Sequence, residues 1–211
     1  ARESVMTIDP SNAGSAGLID RAKNIILTPQ AEWERIAPEP ADVQKIYTGY
    51  VLPLAVFAAL CGFIGMTMIG VLGWRIGIVP GVINMILQVC VGVASVFILA
   101  FILNALAPSF GSRQDIGQAH KLAAYGSTAF FVAGVFAIFP PLGILALAGL
   151  YSFALIYIGM PRLMGTPEDK RMIYLIVVIL VAIVVQFVLG LIVGQLMLMV
   201  PGYTPPNPFA V

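Results

Sequence analysis

The chain has 211 residues, 60% of them hydrophobic and only 10% charged, with a formal net charge of +1 and a single histidine. A soluble domain carries about 25% charged residues and a nucleic-acid binder presents a basic face, so both classes are excluded and an integral membrane protein remains. Beyond Lys45 the charges fall in short clusters between long apolar runs, the pattern expected where a charge at mid-bilayer costs roughly 2.5–3.5 kcal/mol.

Residues 1–17 contain no apolar signal-like core and carry Asp9-Pro10-Ser11-Asn12 and Gly14-Ser15-Ala16-Gly17, which predicts a flexible tail with Met6 as an alternative start. Over 18–26, Leu18, Ile19, Ala22, Ile25 and Ile26 recur at helical spacing between Asp20, Arg21, Lys23 and Asn24, giving an amphipathic helix. Thr28-Pro29 then offers an N-cap and a proline at the first helical position, with Glu32, Trp33 and Ile36 continuing a second short helix until Pro38-Glu39-Pro40 ends it. Within this interfacial segment, 18–48, Trp33 is expected as a headgroup-level anchor and Arg21, Lys23 and Arg35 as cations drawn to the membrane surface. Asp42 can cap the approach to the first span.

Five apolar runs follow at 49–73, 80–107, 119–139, 142–160 and 172–200, each near or above the roughly 20 residues that cross a hydrocarbon core. The third and fourth meet at Pro140-Pro141; paired prolines stop one continuous helix there, so two spans are expected, with a re-entrant hairpin as the alternative. The fold class is therefore all-α, a bundle of five transmembrane helices over 49–200, with an extended tail at 201–211. Placing the N-terminus in the cytoplasm puts ten of the 11 lysines and arginines on that side and Arg75 alone on the other, with the C-terminus outside. Thr166-Pro167-Glu168-Asp169 reads as the start of the fifth helix, Thr166 capping and Asp169 completing a capping box.

Small residues recur at four-residue spacing at Ala58, Gly62 and Gly70 with Met66 interposed, at Ala119, Ala123 and Ser127, and at Ala182, Gly190 and Gly194 with Gln186 in the same row. Such stripes let helices approach closely, and Gly190 with Gly194 is expected to serve packing within the bundle, with a dimer contact as the alternative. Asn84, Gln88 and Ser95 share one face of the second span and should point inward to bond a neighbour such as Gln186. That seam is either interhelical glue or the lining of a solute path. No acid, histidine or base lies away from the ends of the runs, as ion-coupled transport would need. His120 is expected at the interface or beside Asp115, and Cys61 and Cys90 as small packing residues, a disulfide requiring matched depth and face. Phosphate loops, metalloprotease helices and nucleophile elbows are missing from the sequence, so no catalytic, metal or cofactor site is expected.

Several short stretches together resemble the bacterial branch of the Ypt-interacting protein (Yip-one) family: Thr28-Pro29 with Trp33, Tyr50-Val51-Leu52-Pro53, Ala124-Tyr125-Gly126-Ser127-Thr128, and Gly149-Leu150-Tyr151-Ser152. The similarity covers roughly 18–200. Family members commonly carry proline after the threonine matching Thr128, where this chain has Ala129, so a break in the third helix is not assured. The resemblance implies a five-span protein of the bacterial cytoplasmic (inner) membrane. Eukaryotic members act in vesicle traffic and bind prenylated small GTPases, but the long cytosolic arm they use is missing here.

Together these readings predict a non-enzymatic membrane protein acting by lateral association with lipids, a membrane-protein partner or a second copy of itself. The alternatives are a small channel for an uncharged solute and an accessory subunit of a larger complex.

Overall fold

A computed structural model of the chain describes residues 15–71 and 74–205. Of the expected tails, 1–14 and 206–211 lie outside the described residues, and 15–17 already belong to the first helix. A short hairpin opens the fold, α1 (Ser15–Leu27) and α2 (Pro29–Ile36). Five helices long and apolar enough to cross a membrane follow: α3 (Val43–Ile69), α4 (Ile78–Phe110), α5 (Ile116–Ile138), α6 (Pro140–Met164) and α7 (Glu168–Leu198). The spans thus fall where the apolar runs predicted, and Phe139, with extended backbone before Pro140-Pro141, separates α5 from α6.

Helix α5 is the centre of the bundle and packs on α3, α4 and α6, while α7 lies outside against α4 and α6. Its composition explains this position. Ala119 to Ala129 is an unbroken buried stretch of mostly small residues, and small side chains let neighbouring backbones close in where lipid gives no hydrophobic drive. At Gly134 an added Cβ would lie 2.7 Å from Ala58 Cβ, so the first-span stripe meets α5 without room for another carbon.

The helices are not uniform, and two of the departures have a local cause. Proline 53 has no N–H and crowds the carbonyl one turn earlier, and just before it the chain widens to a π turn over Tyr47–Val51, the Leu52 N–H reaching back to Tyr47 O. Helix α5 breaks at Ser127 (φ −79, ψ 0) although Ala129 stands where a proline would explain it. Here Ser127 Oγ donates to Ala123 O at 2.8 Å and Thr128 Oγ1 to Tyr125 O at 2.6 Å, back-bonds of the kind that bend helices. The buried Tyr50 hydroxyl completes the knot at 2.7 Å from Thr128 Oγ1. Gly134–Ile138 and Pro140–Leu150 are 3-10 helix.

Capping differs in part from expectation. Asp42 caps as foreseen, accepting from Lys45 N at 3.1 Å, a bond that holds its carboxyl below the ordinary value. Thr28 makes no side-chain cap and bonds back to Asn24 O. Thr166 does not cap α7 either: it is buried, taking a bond from Ser112 Oγ at 2.9 Å and donating to Met160 O, so it ties the α4–α5 loop to the end of α6. The described part of the C-terminal tail is folded back, with Trp74 Nε1 donating to Thr204 O at 3.0 Å and Tyr203 edge-on to the indole. Both cysteines are free, Cys61 buried and Cys90 exposed.

Replacing Thr128 by valine keeps the shape and removes the hydroxyl that Tyr50 needs. Thermal unfolding of the purified protein should show a loss of roughly 1–3 kcal/mol, and an unchanged midpoint would deny the Tyr50–Thr128 bond a structural role.

Candidate functional site

The polar chemistry of the chain concentrates where the hairpin meets the spans. Helix α2 ends at Ala37, and the last carbonyls of any helix lack partners within it. Lys121, fully buried on α5, supplies the donor: its Nζ bonds Ala37 O at 3.0 Å and Glu39 O at 2.7 Å. Arg21 on α1 closes the other side, forking onto Glu39 with bonds of 2.9 and 2.7 Å, a geometry that guanidinium and carboxylate match in pairs. Its Nε lies 3.7 Å from the buried Glu32, and its Cζ 5.3 Å from the centre of the Tyr125 ring. Desolvation opposes the Arg21 charge, but the Glu39 carboxylate, with Tyr125 and Glu32 behind it, outweighs that penalty and holds the guanidinium above its ordinary pKa.

Apolar contacts complete the seat. Ala22 and Ile25 of α1 and Trp33 and Ile36 of α2 are buried against the bundle. Trp33 fits a notch on α6 that exists because residue 159 is glycine; a Cβ there would lie 2.7 Å from the indole. Its ring is edge-on to Tyr125 at 6.5 Å. At the α1–α2 turn Tyr151 donates to Ile26 O, and near the far end of α2 Arg162 pairs with Glu34 at 3.1 Å.

These positions change the reading of the expected anchor. Trp33 has no exposed surface, so it docks the hairpin onto protein, not into headgroups. The reason is shape: Gly159 leaves an indole-sized recess that a lipid surface cannot match. Arg21 likewise turns inward to Glu39, whereas Lys23 stays exposed and Arg35 reaches only to Glu32 at 3.7 Å. Sequence reading missed Lys121, Glu39, Glu32 and Gly159 as a set. The available signal was a lysine one turn before Tyr125 in an alanine-rich run, opposite a Pro-Glu-Pro turn.

The other expected sites divide. Ser95 Oγ donates to Gln186 Oε1 at 3.1 Å, so α4 and α7 are joined there. Gln88, however, is exposed on the outer flank of α4 and Asn84 only half-buried, and neither has a hydrogen-bond partner among the described residues. The expected seam is therefore bonded only at Ser95 and Gln186, while Asn84 and Gln88 lie on a more exposed stretch of α4. Around Gly190 and Gly194 an added Cβ would meet nothing within 4 Å, so this pair does not pack inside the chain. His120 sits away from Asp115: it is buried, with Nδ1 2.9 Å from the Tyr47 hydroxyl, and Asp115 caps α5 through Gln118 N. Among the described residues no group of three histidine, cysteine, aspartate or glutamate side chains could hold a metal ion.

Comparison with known proteins adds a family and a relative. The sequence profile of the Yip1 domain matches residues 23–190. Inner membrane protein YohC of Escherichia coli K12 is 26% identical over 154 residues, covering 67% of this chain and 77% of that protein. The same protein from Escherichia coli O6:H1 matches to the same extent. No solved structure matches.

If Lys121 holds the hairpin, Lys121→Met should leave two carbonyls short of a donor and weaken docking by roughly 1–3 kcal/mol. Gly159→Val should act similarly by closing the Trp33 notch. Limited trypsin digestion at the exposed Lys23 and Arg35 reads both: cleavage at least about tenfold faster than in the native chain is expected, and equal rates would show that neither contact holds the hairpin down.

Proposed function

The chain belongs to the Yip1 domain family, and from that premise we propose a non-enzymatic, multi-pass protein of the bacterial inner membrane whose hairpin-bearing end faces the cytoplasm and associates laterally with lipids or a membrane-protein partner. The inner-membrane assignment is supported by the name of its Escherichia coli relative. Orientation is supported by charge: Lys45, Arg113, Lys121, Arg162, Lys170, Arg171 and the hairpin cations all gather at one end, and Arg75 alone lies at the other among the described residues.

The observation that carries lateral association is a stripe left uncovered on α1. Ile19 and Leu27 are 64% and 66% exposed, with Lys23 exposed between them at helical spacing, although the opposite face of the same helix is buried in the bundle. Helix α7 has 31 residues, about 46 Å at roughly 1.5 Å each, which exceeds a hydrocarbon core of about 30 Å. The charged first turn of α7, Glu168 to Arg171, draws part of that surplus into the headgroup layer at the end where the hairpin docks. There an apolar stripe interrupted by a lysine suits an acyl boundary beneath anionic headgroups, or an amphipathic partner. The buried polar groups support a non-catalytic reading, because they serve packing: Tyr50 bonds Thr128, Tyr174 the Leu103 carbonyl, and Ser152 the Phe130 N–H.

The double variant Ile19→Asp, Leu27→Asp touches only exposed positions, so its tryptic pattern should match the native chain. Native mass spectrometry on gently solubilised membranes should show loss of bound anionic lipid or of the co-purifying partner. Retention of both in the variant would refute the stripe as the contact surface.

A further inference from the structure

The end of the molecule where the cations gather contains an open cleft of about 450 Å³, set between the α4–α5 loop at 111–113 and the end of α6, where Pro161, Arg162, Met164 and Gly165 line it. Its rims turn at two glycines in left-handed backbone, Gly111 (φ 67) and Gly165 (φ 61), and an added Cβ at Gly165 would meet nothing within 4 Å. No side chain from either position fills the space. The walls are tied to each other: the Arg113 N–H donates to Met164 O at 2.8 Å, and the buried Ser112 hydroxyl to Thr166 Oγ1 at 2.9 Å. A cleft held open by such bonds is preformed, so binding there costs little ordering of the loops.

Charge decides what fits. Arg113 lines the cleft with its side chain 67% exposed, and among the described residues its ion pairing is a single contact with Asp115 at 4.0 Å. Lys170 on the first turn of α7 brings Nζ to 3.7 Å from the point a Cβ on Gly111 would occupy, and it has no carboxylate within 4 Å among the described residues, Glu168 and Asp169 included. Arg162 differs, since its guanidinium turns along α6 to Ile158 O at 3.3 Å and to Glu34 at 3.1 Å. Beside the cleft Arg171 stacks over Tyr157, one turn before Pro161, with its Nε buried and unpartnered among the described residues. Cations that face a preformed space without carboxylates of their own suit an anion with several acceptor oxygens. A phosphodiester is such a group, taken by arginine in paired bonds and by lysine as a point charge.

Apolar surface continues from these cations into the membrane. On the Lys170 side of α7, Ile173, Leu180 and Val184 follow at helical spacing and are 58%, 59% and 62% exposed. A free phosphate makes no use of that stripe, whereas a phospholipid has a part for each surface. We propose that the cleft binds the phosphodiester of an anionic phospholipid, held by Arg113 and Lys170, with the acyl chains along the Ile173 side of α7. Basic recesses between spans at a membrane surface take headgroups in this way. The proposal rests on the lateral-association reading and names a lipid class for it, at a site separate from the α1 stripe.

The test titrates the full chain in detergent micelles with phosphatidylglycerol or phosphatidylcholine and counts bound lipids by native mass spectrometry. The native chain should bind its first phosphatidylglycerol more tightly than phosphatidylcholine. Arg113→Gln with Lys170→Gln should weaken that first binding about thirtyfold, roughly fivefold for each cation at a membrane surface, and leave phosphatidylcholine unchanged. Because Arg113 also bonds Leu163 O, Lys170→Gln alone, at an exposed position, is the second variant, with a loss of about fivefold expected. Arg35→Gln with Lys45→Gln removes the same charge from exposed positions outside the cleft and should change little. No preference for phosphatidylglycerol, undiminished binding in the cleft variants, or an equal loss in the charge-matched control would each overturn the proposal. Displacement of the lipid by inorganic phosphate at the same concentration would overturn it too, by showing a site for a soluble anion. If Ile19→Asp with Leu27→Asp loses lipid while the cleft variants keep it, the lateral-association reading stands without this site.

Discussion

The ammonium of Lys121 is the contact on which the rest of the hairpin end depends. A helix that stops inside a low-dielectric layer leaves carbonyls without water to bond them, and such groups must find donors or the helix must stop elsewhere. Lys121 reaches out from the bundle's central helix and serves two of them, at Ala37 and Glu39. With α2 ended there, Glu39 is positioned for the Arg21 fork and Trp33 for the Gly159 recess. The ion pair alone would hold little. It is only partly buried, and a pair so placed contributes little by itself, so its effect is to fix the register of the hairpin once the apolar contacts exist.

That arrangement also explains why α5 is so thoroughly buried while α7 is hardly buried at all. The hairpin covers the part of α5 and α6 that would otherwise face headgroups, and α3, α4 and α6 cover the remainder. Small residues along α5 permit this crowding. Helix α7, rich in branched and long apolar side chains, has no comparable stripe turned inward and remains a lipid-facing element joined to α4 at Ser95 and Gln186 and, through Tyr174, at the Leu103 carbonyl.

The spans were legible because charge and hydropathy mark them directly, and the Pro140-Pro141 boundary because prolines interrupt a helix regardless of surroundings. The amphipathic pattern over 18–36 was legible too, but not what its apolar face would meet. Period alone identifies a face that must be covered; it cannot say whether lipid or protein covers it, and Gly159, which decides this for Trp33, is far away in the chain. The same gap affects Thr166, whose motif fits a helix cap while its hydroxyl serves Ser112. The break at Ser127 is the reverse case: without a proline it was not assured, yet two hydroxyl back-bonds produce it.

Position along the helix separates the polar residues of the membrane part into two groups. Near the hairpin end, Tyr50, Lys121, Thr128, Ser152 and Tyr174 are buried and each is bonded to a backbone or side-chain partner. Further along α4, Asn84 and Gln88 are outward and unbonded although they share a face with Ser95, which is bonded. Helical spacing treats these three alike, and what distinguishes them is that only Ser95 has a polar side chain of α7, Gln186, within bonding distance. Bonding at the hairpin end is not complete, since Trp33 Nε1, Asn104 Oδ1, Gln118 Oε1 and Arg171 Nε are buried there without a partner among the described residues, but the bonds that tie α3, α4, α5 and α7 together through Tyr50, Lys121 and Tyr174 lie at that end.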